Sequence, residues 1–111
     1  MNNTVSLKKN RDFQYMYDYG SSYANRYLVM FVIKNDELVN HLGISVSKKV
    51  GNSVIRHRVK RLIKEAYRLH EDEFNSGLNI VVIARSTASS VGYKEIESAL
   101  LHVANLHKII S

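Results

Sequence analysis

The sequence predicts a two-layer α+β sandwich, in which helices pack on one small sheet within a single domain covering residues 1–111. The apolar spacing alternates between helical and strand periods in the order helix, two or three strands, helix, strand, helix. A chain of 111 residues that is 45% hydrophobic has room for one core and is too apolar for a disordered chain. The chain also shows no repeat, low-complexity tract or internal linker.

The first helix is predicted over residues 10–19. Asn10 is a residue type that caps helices, and Gly20 is expected to end the helix in the left-handed conformation. Phe13 and Tyr17 lie four residues apart and therefore share one face of this helix.

Three strands are predicted after this helix. Residues 26–33 are rich in aromatic and branched side chains, and residues 42–47 alternate as a partner strand would. Between them residues 34–40 turn the chain, and residues 21–25 form either a loop or a short edge strand. Residues 78–84 are almost continuously apolar, which is typical of a strand covered on both faces.

A second helix is predicted from a cap at Asn52 or Ser53 to about His70, and a third from about Val91 to Ile109. The apolar residues of the second helix recur at the spacing of one stripe: Ile55, Val59, Leu62, Ile63 and Ala66. The third helix has an equivalent core stripe: Ile96, Leu100, Val103 and Ala104. Both helices are therefore expected to pack on the sheet.

The charge of the chain is concentrated in residues 48–68. This segment holds eight basic residues and one acid, whereas the other residues include eight basic and nine acidic ones. Basic residues lie beside the apolar stripe of the second helix, and like charges four residues apart repel each other. The pattern indicates a polyanion that relieves this repulsion, and nucleic acid is the first candidate. The alternative is an ordinary solvated face, although such faces usually mix both signs.

The basic segment resembles the signature of the bacterial ribonuclease P protein family. That signature is a Lys-Lys-x-Gly-Asn loop followed by Arg-Asn-x-x-Lys-Arg and a further basic residue. It stands in this sequence as Lys48, Lys49, Gly51, Asn52, Arg56, Lys60, Arg61 and Lys64. Shorter matches occur at residues 12–14, 24–26, 43–47 and 83–85, so the resemblance covers nearly the whole chain. Two positions depart from the pattern: His57 replaces the usual asparagine, and Lys64 replaces a frequent arginine.

The resemblance implies an α-β-β-β-α-β-α fold with a left-handed strand–helix–strand crossover. General rules would predict a right-handed crossover here. It also implies a ribonucleoprotein of one protein and ribonuclease P RNA, which removes the 5′ leader of precursor tRNA. The catalytic centre would be RNA with bound Mg²⁺, and this chain would supply no catalytic residue. The side chains expected to bind RNA are Lys48, Lys49, Asn52, Arg56, His57, Arg58, Lys60, Arg61, Lys64 and Arg68.

The aromatic residues allow two interpretations. Phe13, Tyr17 and Phe31 are ordinary core residues, or they line a cleft on which single-stranded bases stack. On its strand, Phe31 would share a face with Tyr27. The resemblance favours a cleft for the tRNA leader formed by Phe13, Tyr17, Arg26 and Phe31. Lys9, Arg11 and Lys48 are further candidates for its charged rim.

Other classes of function find weaker support. The five histidines have no convincing metal-ligand spacing, and the acids at 71–73 form either a solvated loop or a weak magnesium site. The rival to a ribonuclease P subunit is a structural RNA-binding protein, such as a ribosomal protein of similar fold. A membrane-surface protein is a third class, but the apolar stripe is needed to cover the sheet. Because the chain lacks cysteine and an apolar signal segment, we expect it in the cytoplasm.

Overall fold

The computed structural model describes residues 2–111 and consists of one five-stranded sheet with three α-helices. The elements follow in the order β1 (Thr4–Ser6), α1 (Asn10–Tyr19), β2 (Ser21–Ala24), β3 (Leu28–Lys34), β4 (Asn40–Ser45), α2 (Ser53–His70), β5 (Leu78–Ala84) and α3 (Tyr93–Leu106). The strands lie in the order β1-β4-β5-β3-β2. The bounds of three elements, α1, α2 and β5, agree closely with the sequence predictions.

Strand β5 is the centre of the sheet although it is the last strand in the sequence. It pairs in parallel with β4 and antiparallel with β3. Ile80, Val81 and Val82 are completely buried, as predicted for a strand covered on both faces. Helix α2 is the crossover connection between the parallel neighbours β4 and β5.

The main core lies between one face of the sheet and helices α2 and α3. β3 contributes Leu28, Met30 and Val32 to this core, and α2 contributes Val59 and Ile63. The predicted stripe of α3 is buried there as well. The α2 stripe also includes Tyr67, which is fully buried and lies four residues after Ile63, the helical spacing of its core face.

Helix α1 covers part of the opposite face of the sheet. Met16 of α1 is buried against the sheet. The ring of Tyr17 contacts that of Phe31 on β3, with 5.3 Å between the ring centroids. Phe13 lies over Gly43 of β4 so closely that a Cβ on that glycine would be 2.6 Å from the Phe13 Cζ. The absence of a side chain at Gly43 thus determines where the Phe13 ring rests.

The ends of α1 differ from the sequence prediction. Asn10 is the first helical residue, and Lys9 occupies the cap position without a side-chain hydrogen bond. Gly20 has an extended backbone, φ −75° and ψ 148°, and not the left-handed one. A glycine is still required there, because a Cβ would lie 2.6 Å from the carbonyl oxygen of Met16.

The pairing of β4 also differs from the prediction. It was expected to pair with β3, its neighbour in sequence, but β5 lies between them. The loop-or-strand alternative at residues 21–25 is resolved in favour of an edge strand, β2. Tyr27 precedes β3 and packs against the main core, so it does not share the face of Phe31.

Strand β1 was not predicted, and the acids at 71–73 explain how it is held. Glu71 accepts hydrogen bonds from the backbone amides of Asn2 and Asn3 and from the hydroxyl of Thr4. These contacts hold its pKa below the usual value despite partial burial. Glu71 therefore fixes β1 in parallel beside β4.

Candidate nucleic-acid interface

The basic helix α2 begins at a well-defined cap. The Asn52 side chain accepts a hydrogen bond from the Ile55 amide at 3.0 Å, which identifies it as the cap of the two predicted candidates. Arg56 donates to the carbonyl of Gly51 at 3.0 Å and so ties the helix to the preceding loop. Lys48 and Lys49 are exposed in that loop. The first turn of α2 is thereby fixed next to a loop that carries two exposed lysines.

Three cations of α2 point outward without a protein partner. Within residues 2–111, the side chains of Lys60, Arg61 and Lys64 make no hydrogen bond or ion pair. His57 is exposed between Arg56 and Lys60. An unpaired cluster of this kind attracts phosphates through charge-assisted hydrogen bonds and through the release of the counterions that surround the nucleic acid.

Arg58 is placed differently from the other predicted RNA-binding residues. Its guanidinium donates to the carbonyl of Val91 at 2.6 Å and to that of Ser89 at 3.5 Å. It therefore fixes the segment that leads into α3. That Arg58 binds RNA stays a prediction, and its Nη1 and Nη2 atoms already donate hydrogen bonds within the protein.

Arg68 is also engaged in a contact within the protein. It forms a two-pronged ion pair with Glu65, with nitrogen–oxygen distances of 2.7 and 2.9 Å. The arginine lowers the pKa of the Glu65 carboxyl. The pair is exposed, so it contributes little stability and can be exchanged for a phosphate.

A groove connects the basic helix with the aromatic face of α1. It has a volume of about 470 Å³ and runs along the exposed end of β4. One wall is Phe13 and Tyr17 of α1, and the other is α2. The lining residues of the α2 wall are Ser53, Arg56, His57 and Lys60.

A second cavity of about 550 Å³ continues this groove and shares Phe13, Ile44 and Lys60 with it. It extends between the start of α1 and the middle of α2, where Lys8 and Lys64 lie on opposite sides. We call the two cavities together the α1–α2 groove. No carboxylate lines it within residues 2–111.

Phe13 and Tyr17 have features of both predicted roles, core packing and lining of a cleft. Their rings lie 6.4 Å apart, pack partly on the sheet and are only half-buried. Phe31 supports the Tyr17 ring from the sheet and does not line the groove itself. The cleft is therefore walled by two aromatic rings, and Phe31 is placed behind them.

Arg26 is not brought to this groove. It lies in the loop between β2 and β3. It lines a separate pocket, together with Lys94 and His102 of α3. Conversely, the sequence prediction missed several lining residues at or next to the ends of regular elements: Asn10, Ser45, Val46 and Ser53. The Ser45–Val46 pair was within reach, because it belongs to the strand that matched the family.

The histidines do not gather into a metal site. Residues 2–111 contain no group of three His, Cys, Asp or Glu side chains suited to a metal ion. His70 instead bridges Glu73 and Glu97, and the two carboxylates raise its pKa. Nor does any helix among the described residues have the length and apolar character to cross a membrane.

A small α+β domain with one face of unpaired cations beside an aromatic groove belongs to the class of RNA-binding proteins. The model of the ribonuclease P family matches residues 1–108 of this chain. The ribonuclease P protein component of Lachnoclostridium phytofermentans is 58% identical over 106 residues, covering 96% of this chain and 91% of the relative. That of Alkaliphilus metalliredigens is 50% identical over the full length of both chains. The chain belongs to the ribonuclease P protein family.

Solved structures of relatives have the same fold. The ribonuclease P protein of Staphylococcus aureus superposes with a TM-score of 0.88 at 39% identity, covering 96% of this chain and 97% of that one. The protein of Thermotoga maritima gives a TM-score of 0.83 at 31% identity, covering 96% and 99%. These similarities confirm the predicted order of helices and strands.

Membership defines the role of the chain at the level of the whole enzyme. It acts as the protein component of bacterial ribonuclease P, whose work is the processing of the tRNA 5′ leader. Its partner is an RNA subunit, and that RNA is the catalytic subunit.

Proposed function

We propose that the α1–α2 groove receives the single-stranded 5′ leader of precursor tRNA, while the outer face of α2 binds phosphates of ribonuclease P RNA. One protein and one RNA would form the holoenzyme. The observation that carries this proposal is that Phe13 and Tyr17 share a groove with Arg56, His57 and Lys60. Aromatic faces on one wall and cations on the other suit single-stranded RNA, whose bases can stack on the rings while its phosphates face the cations.

The aromatic wall provides affinity without sequence preference. Each base that stacks on a side chain such as Tyr17 contributes about 1–3 kcal/mol. Leaders differ in sequence from one tRNA to another, so a site that reads only the flat faces of the bases accepts all of them. The lack of carboxylates in the groove also spares the leader phosphates any repulsion.

The magnesium ions of the reaction are assigned to the RNA subunit. Mg²⁺ is bound by carboxylate and phosphate oxygens, and no carboxylate is found among the described residues that line the α1–α2 groove. The chain would lower the magnesium requirement indirectly, because its cations neutralise phosphates that Mg²⁺ would otherwise have to screen. The described residues that line the groove include no carboxylate pair for proton transfer, and their aromatic and cationic side chains would position the substrate.

The leader assignment is tested with Tyr17→Ala in the reconstituted holoenzyme. We expect weaker binding of precursor tRNA by about fivefold or more, the loss of one stacked base, and unchanged binding of mature tRNA. Tyr17→Phe is the matched control, since it keeps the ring and should keep the affinity. Equal losses for precursor and mature tRNA would return Tyr17 to a purely structural role.

The phosphate assignment is tested by salt dependence. If about five phosphates are neutralised, the logarithm of affinity for ribonuclease P RNA should fall with the logarithm of salt at a slope near −4 to −5. Arg61→Gln, an exposed α2 position that does not line the groove, should reduce that slope by about one, whereas Lys94→Gln on the exposed side of α3 should not. A wild-type slope near −1 contradicts the assignment of α2.

A further inference from the structure

A second site lies on the other flank of α1, where the end of that helix meets the end of β3 and the turn after α3. Two adjoining cavities of about 400 and 580 Å³ occur there. They share Lys34, Leu78, His107 and Ile109, and Tyr19 forms one end. We call them together the α3-turn pocket. The α1–α2 groove shares none of these lining residues.

The Tyr19 side chain does not pack into the core of the protein. Its side chain is 74% exposed, and Tyr15, one turn earlier, is 51% exposed. The two rings lie 4.8 Å apart on the solvent side of α1. An exposed pair of this kind costs solubility and offers the flat surface that unpaired bases use.

Lys108 occupies a position where glycine would be preferred. Helix α3 ends with the Ile109 amide bonded to the Ala104 carbonyl and the Lys108 amide bonded to that of Asn105. This arrangement is a Schellman motif, and its left-handed residue is Lys108, with φ 59°. A side chain in this conformation carries strain, and here the strain places a lysine in the pocket that Lys34 also lines.

His107 forms part of the floor between these groups. It donates from Nε2 to the carbonyl of Met30 at 2.8 Å, and burial lowers its pKa. The ring is therefore neutral at physiological pH, and the edge of Tyr23 packs on it at 4.7 Å. The only acid that lines the pocket within residues 2–111 is Glu37, whose carboxylate is hydrogen-bonded to His41.

We propose that the α3-turn pocket is a second RNA-binding site, which takes a nucleotide of a single-stranded segment. Its base stacks on Tyr19, and its phosphates lie between Lys34 and Lys108. Two cations beside an exposed aromatic ring are the elements of a sequence-tolerant single-strand site. The pocket is independent of the proposed leader groove, since the two lie on opposite flanks of α1 and share no lining residue.

The site is tested by cross-linking in the holoenzyme. The chain has no cysteine, so Tyr19→Cys can carry one aryl azide label at a single position. Irradiation with precursor tRNA bound should join this position to unpaired nucleotides, either of the leader or of the RNA subunit, and mapping distinguishes the two sources. Asp72→Cys, exposed in the acidic turn after α2, is the control. Cross-links to neither RNA, or only to paired nucleotides or a second protein copy, overturn the proposal.

Binding of a short oligouridylate to the Tyr17→Ala chain, in which the leader groove is weakened, provides the second readout. Tyr19→Ala should weaken it by about fivefold. The double variant Lys34→Gln and Lys108→Gln should flatten the logarithmic salt slope by about 1.4, the value for two phosphates of a single strand. An unchanged slope in the double variant, with folding intact, overturns the assignment. Tyr17→Ala tests the leader groove separately, so failure of either site is distinguishable.

Discussion

Gly43→Ala tests how the backbone of β4 positions the aromatic wall of the groove. The added methyl group would lie 2.6 Å from Cζ and 2.8 Å from Cε1 of Phe13, and 3.2 Å from Cβ of Leu7. The strand cannot retreat, because β4 is paired with both β1 and β5. The Phe13 ring must therefore move toward the groove. Overpacking of this kind costs about 1–3 kcal/mol of the free energy of unfolding.

Urea denaturation measures this cost, and a double-mutant cycle assigns it. Gly43→Ala should lower the midpoint without changing the slope of the transition. In a Phe13→Ala background the same methyl group should cost less than about 0.5 kcal/mol, because the ring that it meets is gone. An equal cost in both backgrounds would refute the steric argument. In the holoenzyme, the displaced ring should also weaken leader binding more than mature tRNA binding.

Two further predictions concern stability. Lys108→Gly should raise the free energy of unfolding by about 0.5–1 kcal/mol in urea titrations, because glycine adopts the left-handed conformation without strain; a loss would show that the lysine side chain stabilises the turn. His70 has a pKa raised by Glu97 and Glu73, so its contribution is complete below the unfolded value near 6.5 and is lost as pH rises through the folded pKa. Thermal unfolding of His70→Gln between pH 5 and 9 should lack this loss, and an identical pH profile in both proteins would contradict it.

The elements that the sequence predicted well are those with strong local signals. Helix α2 has a capping asparagine and an apolar stripe of five residues, and both are found where expected. Strand β5 has a nearly continuous apolar run, and burial on both faces explains it. In these segments local preference and tertiary packing agree, so periodicity alone locates them.

The missed features depend on partners that are distant in sequence. Strand β1 has three residues and is largely exposed, so its position depends on its pairing with β4 and on the hydrogen bonds that Thr4 and the two residues before it donate to the Glu71 carboxylate. The neighbours of β4 could not be read from its own residues, because β5 is inserted between two strands that are consecutive in the chain. The hydrogen bonds that Arg58 donates within the protein could not be predicted for the same reason, since the carbonyls that accept them follow more than thirty residues later.

The central position of β5 has a consequence for synthesis on the ribosome. The chain emerges from its amino end at about 5–20 residues per second, so β3 and β4 appear before the strand that joins them. Until residue 84 is available, each has an unpaired edge, and the main core faces of Leu28 and Met30 lack their central neighbour. Val81 of β5 also lies in the sheet beneath α1. A nascent chain would thus expose the cations of α2 before β5 completes the sheet beside the α1–α2 groove. RNA recognition by the cations and the groove together would begin only when most of the chain has been made.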